Sequence, residues 1–235
     1  MNIKVAIVLG ATGLTGRALL ARLSADPRYD EVIALVRKPV EFGLPKVDTQ
    51  VIDFDAMVRD PLAVAEELRA LIDGGIVQAF CCLGTTIKAA GSQEAFRRVD
   101  FDDVVAFAEM VRALKAKHLG IVSAVGANAS SRVFYSRVKG EMEDTVSEMR
   151  GKAFRVHFVR PSLLDGLRTD DRPSERIALK TTKFLKPLLI GPLRRYRAVS
   201  ADAVAATLVR VAHETINRTP QHVRGLIVTP SENIF

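Results

Sequence analysis

The opening of the chain fixes most of what it can fold into. Ile3 to Leu9 is a short apolar run, Gly10-Ala11-Thr12-Gly13-Leu14-Thr15-Gly16 follows directly, and Leu14 to Ser24 reads as a helix. A brief, nearly continuous apolar run that ends in glycine suits a strand buried on both faces of a parallel sheet. The turn then opens a helix whose first N–H groups have no acceptor within the helix and face any anion placed there. Taken in order, Gly10 permits the tight turn, Gly13 lets backbone approach a pyrophosphate, and Gly16 allows the helix to pack closely. Thr12 and Leu14, between the glycines, belong to the same candidate cradle. The spacing is G-x-x-G-x-x-G rather than the commoner dinucleotide fingerprint G-x-G-x-x-G, which shifts the duty of each glycine but keeps the physics. A glycine turn that binds nothing is the competing reading.

Short apolar segments alternate with helical ones along the rest of the chain. Glu31 to Val36, Thr49 to Asp53, Val77 to Leu83, His118 to Ser123 and Phe154 to Val159 read as strands, with helices over Pro61 to Ile72, Ser92 to Lys117 and Tyr135 to Arg150. This alternation predicts an α/β fold with right-handed crossovers and one doubly wound, Rossmann-like parallel sheet. The chain is expected to form a single domain over 1–235, with a dinucleotide-binding core at 1–161 and a substrate-covering segment with closing elements at 162–235. After Pro161 the pattern loosens through Pro173, Pro187, Pro192, Gly166 and Gly191, with a helix-like stretch at Ser174 to Leu189. Asp202 to Glu214 resumes helical periodicity and Gly225 to Val228 supplies a last strand. Ligands in open α/β sheets bind beyond the carboxyl ends of the strands, so the loosened excursion is where substrate contacts are expected.

Length and composition narrow the classes. With 235 residues, 48% of them hydrophobic, the chain can bury a substantial core. The seven-residue apolar run at Ile3 to Leu9 is too short for a signal h-region, and no stretch approaches the roughly 20 apolar residues of a membrane span, so a cytoplasmic protein without a transmembrane segment is expected. Cys81 and Cys82 are adjacent on a strand, where successive side chains point to opposite faces, so no disulfide framework is expected. His118, His157, His213 and His222 lack metal-ligand spacing with the cysteines, and no metal site is expected. The net charge of +7 is uneven: residues 150–197 carry 13 Lys or Arg against 4 Asp or Glu. Such a segment attracts a phosphorylated or carboxylated substrate or an anionic surface, or is simply a solvated basic face. No recognisable nucleic-acid motif accompanies it, and nucleic acid is not an expected partner.

Three residues carry the candidate chemistry. Tyr135 and Lys139 stand four apart in Tyr135-Ser136-Arg137-Val138-Lys139, so on a helix they share one face, and Ser123 precedes Tyr135 by twelve residues. A free phenol, with a pKa of about 10, exchanges its proton poorly near neutrality, and a neighbouring ammonium favours its ionised form. Each of the three has a plainer reading: Tyr135 as a helix-start residue, Lys139 as an exposed helical lysine, Ser123 as a strand-end hydroxyl satisfying backbone. At the end of the second strand, where an NAD-specific site would place a carboxylate for the ribose hydroxyls, this chain has Arg37-Lys38. No carboxylate repels a 2′-phosphate there, and Arg37 offers it a planar fork, so NADP is favoured, NAD remains possible, and Arg17 is a candidate helper.

Together these residues resemble the short-chain dehydrogenase/reductase superfamily. The glycine turn, Asp53 after the third strand, Ser123 ending the fifth, the Tyr135/Lys139 pair and Arg160-Pro161 after the sixth fall in that family's order. More narrowly, Phe80-Cys81-Cys82-Leu83-Gly84-Thr85-Thr86, Val99-Asp100 and Val138-Lys139-Gly140-Glu141 resemble its atypical Tat-interacting branch. The resemblance implies that Tyr135 is the general acid or base, that Lys139 bonds the nicotinamide ribose, and that Ser123 stabilises the reacting carbonyl oxygen. It further implies that Asp53 meets the adenine amine, with helix capping as the alternative, and that Leu83, Gly84, Arg160 and Pro161 line the dinucleotide. One departure stands out: many members carry a relay asparagine in the fourth helix where this chain has Asp100. The implied activity is NADP-dependent hydride transfer to or from a small carbonyl or alcohol substrate, anionic if the basic segment serves it, by a monomer or homodimer. An NADP(H)-binding regulatory or scaffold protein and a sugar-nucleotide epimerase or dehydratase are the competing functions.

Overall fold

The computed structural model describes residues 4–72, 75–151, 153–162, 164–165, 198–217 and 226–234. Strands β1 (Lys4–Leu9), β2 (Glu31–Val36), β3 (Val47–Val51), β4 (Ile76–Cys81), β5 (His118–Val122), β6 (Arg155–Arg160) and β9 (Leu226–Pro230) form one seven-stranded sheet in the order β3-β2-β1-β4-β5-β6-β9. Every pairing is parallel. The short strands β7 (Leu164–Asp165) and β8 (Val199–Ser200) pair separately, at the two ends of the excursion.

Helices cover both faces, which is why β1, β2 and β4 are buried at five of six positions instead of alternating. On one face, Ile7, Leu9, Leu35, Ala79, Leu119, Ile121 and Phe158 meet side chains of α2 (Phe54–Arg59), α3 (Pro61–Arg69), α6 (Asp103–Ala113) and α7 (Phe134–Glu148). On the other, Val8, Ala34, Phe80, Val122 and Val159 meet α1 (Leu14–Ala25) and α8 (Ala201–Asn217). Cys81 packs into the first core and Cys82 against the second, as alternation along a strand requires, and both are free thiols.

The doubly wound parallel sheet is as the alternation predicts, with strand limits moved by a few residues. The main departure is the helix expected over Ser92 to Lys117. It is instead α5 (Gln93–Arg97), a π-helical turn at Arg98–Asp102, and then α6, with Ser92 Oγ capping the start of α5 through Ala95 N at 3.0 Å. Periodicity alone does not reveal a π-turn, which shifts the helical register without breaking its apolar stripe. Two short helices went unread, α2 and α4 (Ile87–Ala90), each only about a turn long and started by a side-chain cap from Asp53 and Thr86. The helix expected at Ser174 to Leu189, and His222, lie outside the described residues.

Candidate active site

Strand order reverses direction between β1 and β4, and the loops that leave these two strands touch. Gly10 adopts φ +79°, and a Cβ on it would lie 2.6 Å from both the Cys82 carbonyl carbon and Leu83 N. Only glycine fits that contact, and it brings Leu83 and Gly84 beside the glycine turn. Gly16 is equally constrained, since its Cβ would meet Gly10 O at 2.1 Å. Gly13 differs. Its φ of −74° and ψ of 170° suit any residue, and its Cβ would meet only Gly10 O, at 3.4 Å. The protein itself therefore gives little reason for glycine at 13, and the space its missing side chain leaves is the space a pyrophosphate needs. Helices α2 to α5 each begin on a side-chain cap, whereas α1 begins at Gly13 with none, leaving its first N–H groups facing the turn. The turn thus fits the phosphates of a dinucleotide. Thr12 is exposed with its carbonyl accepting from Arg17 Nε at 3.0 Å, and Leu14 is half-buried.

A cleft of about 480 Å³ continues from the ends of β2 and β3 and is lined by Arg37, Asp53, Phe54, Asp55, Arg98 and Asp103 among others. The fold thereby brings Arg37 and Asp53 together; Lys38 is exposed beside them. The Arg37 guanidinium lies over the Phe54 ring, 5.6 Å from its centroid, a flat seat that a lysine could not use equally. Arg98 in the same cleft is taken up by Asp55 at 2.6 Å and Asp103 at 3.0 Å. Asp53 is the helix N-cap: its Oδ1 accepts from Asp55 N at 2.8 Å and Ala56 N at 3.2 Å.

Ser123 follows β5, its N–H bonded to Val159 O at 2.8 Å. Its side chain is buried, and Oγ has no hydrogen-bond partner among the described residues. A buried hydroxyl without a partner is rare in folded proteins, and its bonding capacity is open to a water or a ligand atom. The loop that leaves Ser123 returns onto α7, where Asn128 N donates to Ser136 O at 3.0 Å. Gly140 makes this approach possible, because its Cβ would stand 2.1 Å from Ala129 N. Tyr135 is half-buried on the first turn of α7, its ring 5.5 Å from that of Phe96.

Lys139 is almost wholly enclosed, with a side chain 3% exposed, and its Nζ sits 2.8 Å from Asp100 Oδ1, whose side chain is fully buried. Asp100 Oδ2 accepts from Thr85 N at 2.9 Å. Burial pulls the lysine pKa down, but the charge of Asp100, joined by the nearby Tyr135 phenol, outweighs it and holds the ammonium above its ordinary 10.5. Arg160 is engaged elsewhere: its guanidinium forks onto Glu143 of α7, with Nε 3.0 Å from Oε1. Pro161 contributes its carbonyl to Val125 N at 2.9 Å, which ties β6 to the Ser123 loop. Residue reading missed the Glu143 and Thr85 partners; the signal available was the departure at Asp100. Among the described residues no group of His, Cys, Asp or Glu is placed to hold a metal.

A family model described as NAD(P)H-binding matches residues 10–215. The chain belongs to this NAD(P)H-binding family. Among its relatives, Protein HTATIP2 of Rattus norvegicus is 35% identical over 183 residues, covering 77% of this chain and 71% of that protein. The mitochondrial Protein fmp52 of Emericella nidulans is 30% identical over 230 residues, covering 97% and 92%. Solved structures share the fold: ligand-free Thermoplasma acidophilum aldohexose dehydrogenase superposes with a TM-score of 0.68 at 17% identity, covering 99% of this chain and 94% of that one. MoeE5 in complex with UDP-glucose and NAD gives 0.62 at 16% identity, covering 95% and 74%. The resemblance to the Tat-interacting branch of the short-chain dehydrogenase/reductases thus holds. The expectation of a cytoplasmic protein is corrected, because several fungal relatives are named as mitochondrial. The physical reason is that a missing h-region separates secreted chains from others and does not distinguish cytoplasm from mitochondrion. No helix among the described residues is long and apolar enough to cross a membrane.

Proposed function

We propose that this protein is an NADP-dependent oxidoreductase moving hydride between nicotinamide and a small carbonyl or alcohol substrate. The observation that carries this reading is the buried, unpartnered hydroxyl of Ser123, set at the carboxyl end of β5 in a loop packed on the helix that bears Tyr135 and Lys139. A bound nicotinamide would supply or accept the hydride. Gly10, Thr12, Gly13, Leu14 and Gly16 would hold its pyrophosphate, with Leu83 and Gly84 along the dinucleotide. Arg37, seated on Phe54, would take the 2′-phosphate with Lys38 nearby, and Asp53 would flank the adenosine end.

The chain's own residues then act on the substrate oxygen. Ser123 Oγ donates a hydrogen bond to it, an interaction that strengthens as negative charge develops there. Tyr135 Oη delivers the proton in reduction and removes it in oxidation, and the Lys139 ammonium four residues along the helix favours the ionised phenol. The basic stretch at 150–197 leaves an anionic substrate open as the preferred class.

A second reading is an NADP(H)-binding regulatory protein with weak turnover, and the Lys139–Asp100 ion pair favours it, because the carboxylate offsets the charge that would assist Tyr135. One experiment separates the two. A panel of aldehydes, ketones and quinones is screened for NADPH oxidation by the parent and by Tyr135→Phe. Turnover is expected in the parent and about 100-fold less in the variant, with NADPH affinity nearly unchanged. A substrate turned over equally fast by Tyr135→Phe would remove Tyr135 from the chemistry.

A further inference from the structure

We propose that Asp100 is the counter-ion and positioning residue for Lys139, joining that lysine to the loop after β4 before any dinucleotide binds. Its functional consequence rests on the oxidoreductase reading; the ion pair itself does not. An ammonium enclosed as fully as that of Lys139 stays charged only beside an anion or several hydrogen-bond acceptors. The charged and titratable groups around it are few. Tyr135 shares its helix, and β4 presents the Cys81 thiol, whose pKa burial pushes up to about 12, so that it is neutral. Asp103, on the next turn beyond Asp100, is bonded to Arg98 Nε at 3.0 Å. Asp100 is left as the anion in direct contact, at 2.8 Å.

Its placement follows from the π-turn. Arg98–Asp102 is wound wider than the α5 and α6 turns that flank it, and the fully buried Asp100 side chain reaches two other segments from there. Oδ1 meets Lys139 on α7 and Oδ2 accepts from Thr85 N on the loop after β4. Gly84 lies beside this contact, where a Cβ would make only ordinary van der Waals contact with Oδ1 at 3.7 Å. One carboxylate therefore ties three segments that converge where the nicotinamide end of a dinucleotide would lie. An amide at 100 could still accept from Thr85 but would bring no negative charge to the lysine.

The test reads Lys139 directly. In protein carrying 13C-labelled lysine, the Cε resonance of Lys139, assigned by its loss in Lys139→Arg, is followed from about pH 7 to about pH 11 without dinucleotide. In the parent the midpoint is expected above 10.5. In Asp100→Asn it should fall by at least about one pH unit, because a buried ammonium has lost its counter-ion. Equal midpoints in the two proteins would overturn the proposal. So would a parent midpoint below 10.5, which needs no variant to fold. NADPH affinity, followed by fluorescence, should weaken about tenfold between neutral and alkaline pH in Asp100→Asn and stay level in the parent. Parallel affinity profiles would overturn the positioning role. A parent that binds no NADPH at all would overturn the oxidoreductase reading instead, with the Lys139 midpoints still deciding the place of Asp100.

Discussion

At the scale of single residues, three glycines within one seven-residue stretch do different work. Gly10 and Gly16 are fixed by neighbouring backbone, while Gly13 is free of such a constraint and bounds the space for a ligand. The same distinction separates the arginines. Arg98 is consumed by Asp55 and Asp103, and Arg160 by Glu143, whereas Arg37 stacks on Phe54 at the rim of the cleft and forms no ion pair among the described residues. Replacing Arg37 by Asp should therefore weaken NADPH binding at least about tenfold and leave NADH binding unchanged or stronger, since the new carboxylate repels a 2′-phosphate and accepts from ribose hydroxyls. Paired calorimetric titrations check this, and an unaltered NADPH preference would remove Arg37 from the site. The roles of Gly10 and Gly16 were legible in the sequence because spacing after a strand dictates them. Arg160 was not, because the partner that engages it, Glu143, lies seventeen residues away on another element.

At the scale of elements, strands and long helices were legible because burial on two faces and helical periodicity leave direct marks on composition. The π-turn was not, since it changes register within an unbroken apolar stripe, and Asp100 looked like a substituted relay residue when it is also a buried counter-ion. The same central strands carry a polar stripe under α8. Gln78 on β4 donates to Ala212 O at 2.9 Å, and His157 on β6 lies 2.9 Å from Thr229 Oγ1. His118 on β5 lies between them, fully buried, with no hydrogen-bond partner for either ring nitrogen among the described residues. Burial holds the pKa of His118 well below 6.5, and burial with the charge of Arg210 brings His157 down to about 3. Both rings are neutral in the folded protein. As pH falls below 6.5 the unfolded chain takes up protons at both histidines that the folded one refuses, at His157 until about 3, so stability present above 6.5 is lost as pH falls. Each such histidine therefore lowers stability as pH falls through that window. His157→Gln should flatten the fall of Tm between neutral and mildly acid pH, and a slope identical to the parent's would contradict the assignment.

At the scale of the whole molecule, the sheet gathers one end of each strand into a single edge, and the candidate residues collect there from widely separated parts of the chain. The glycine turn follows β1, Arg37 follows β2, Asp53 follows β3, Leu83 and Gly84 follow β4, Ser123 follows β5 and Pro161 follows β6. This is what strand–helix alternation implies once every crossover has the same hand. Tyr135 and Lys139 reach the same edge by a different route, on α7 packed against the Ser123 loop through Gly140. The shared edge of these candidate residues was therefore visible in sequence order, whereas the pairings among them required the packing of elements against each other. The proposed dinucleotide cradle is the turn between β1 and α1. Its most direct test is calorimetric titration of NADPH into Gly13→Val. The backbone angles at Gly13 suit valine and no protein backbone stands closer than 3.4 Å to its Cβ, so the variant should fold, at a cost of about 0.5–2 kcal/mol because valine is the poorer N-cap residue. NADPH binding, present in the parent, should vanish in the folded variant; unchanged binding there would contradict the account.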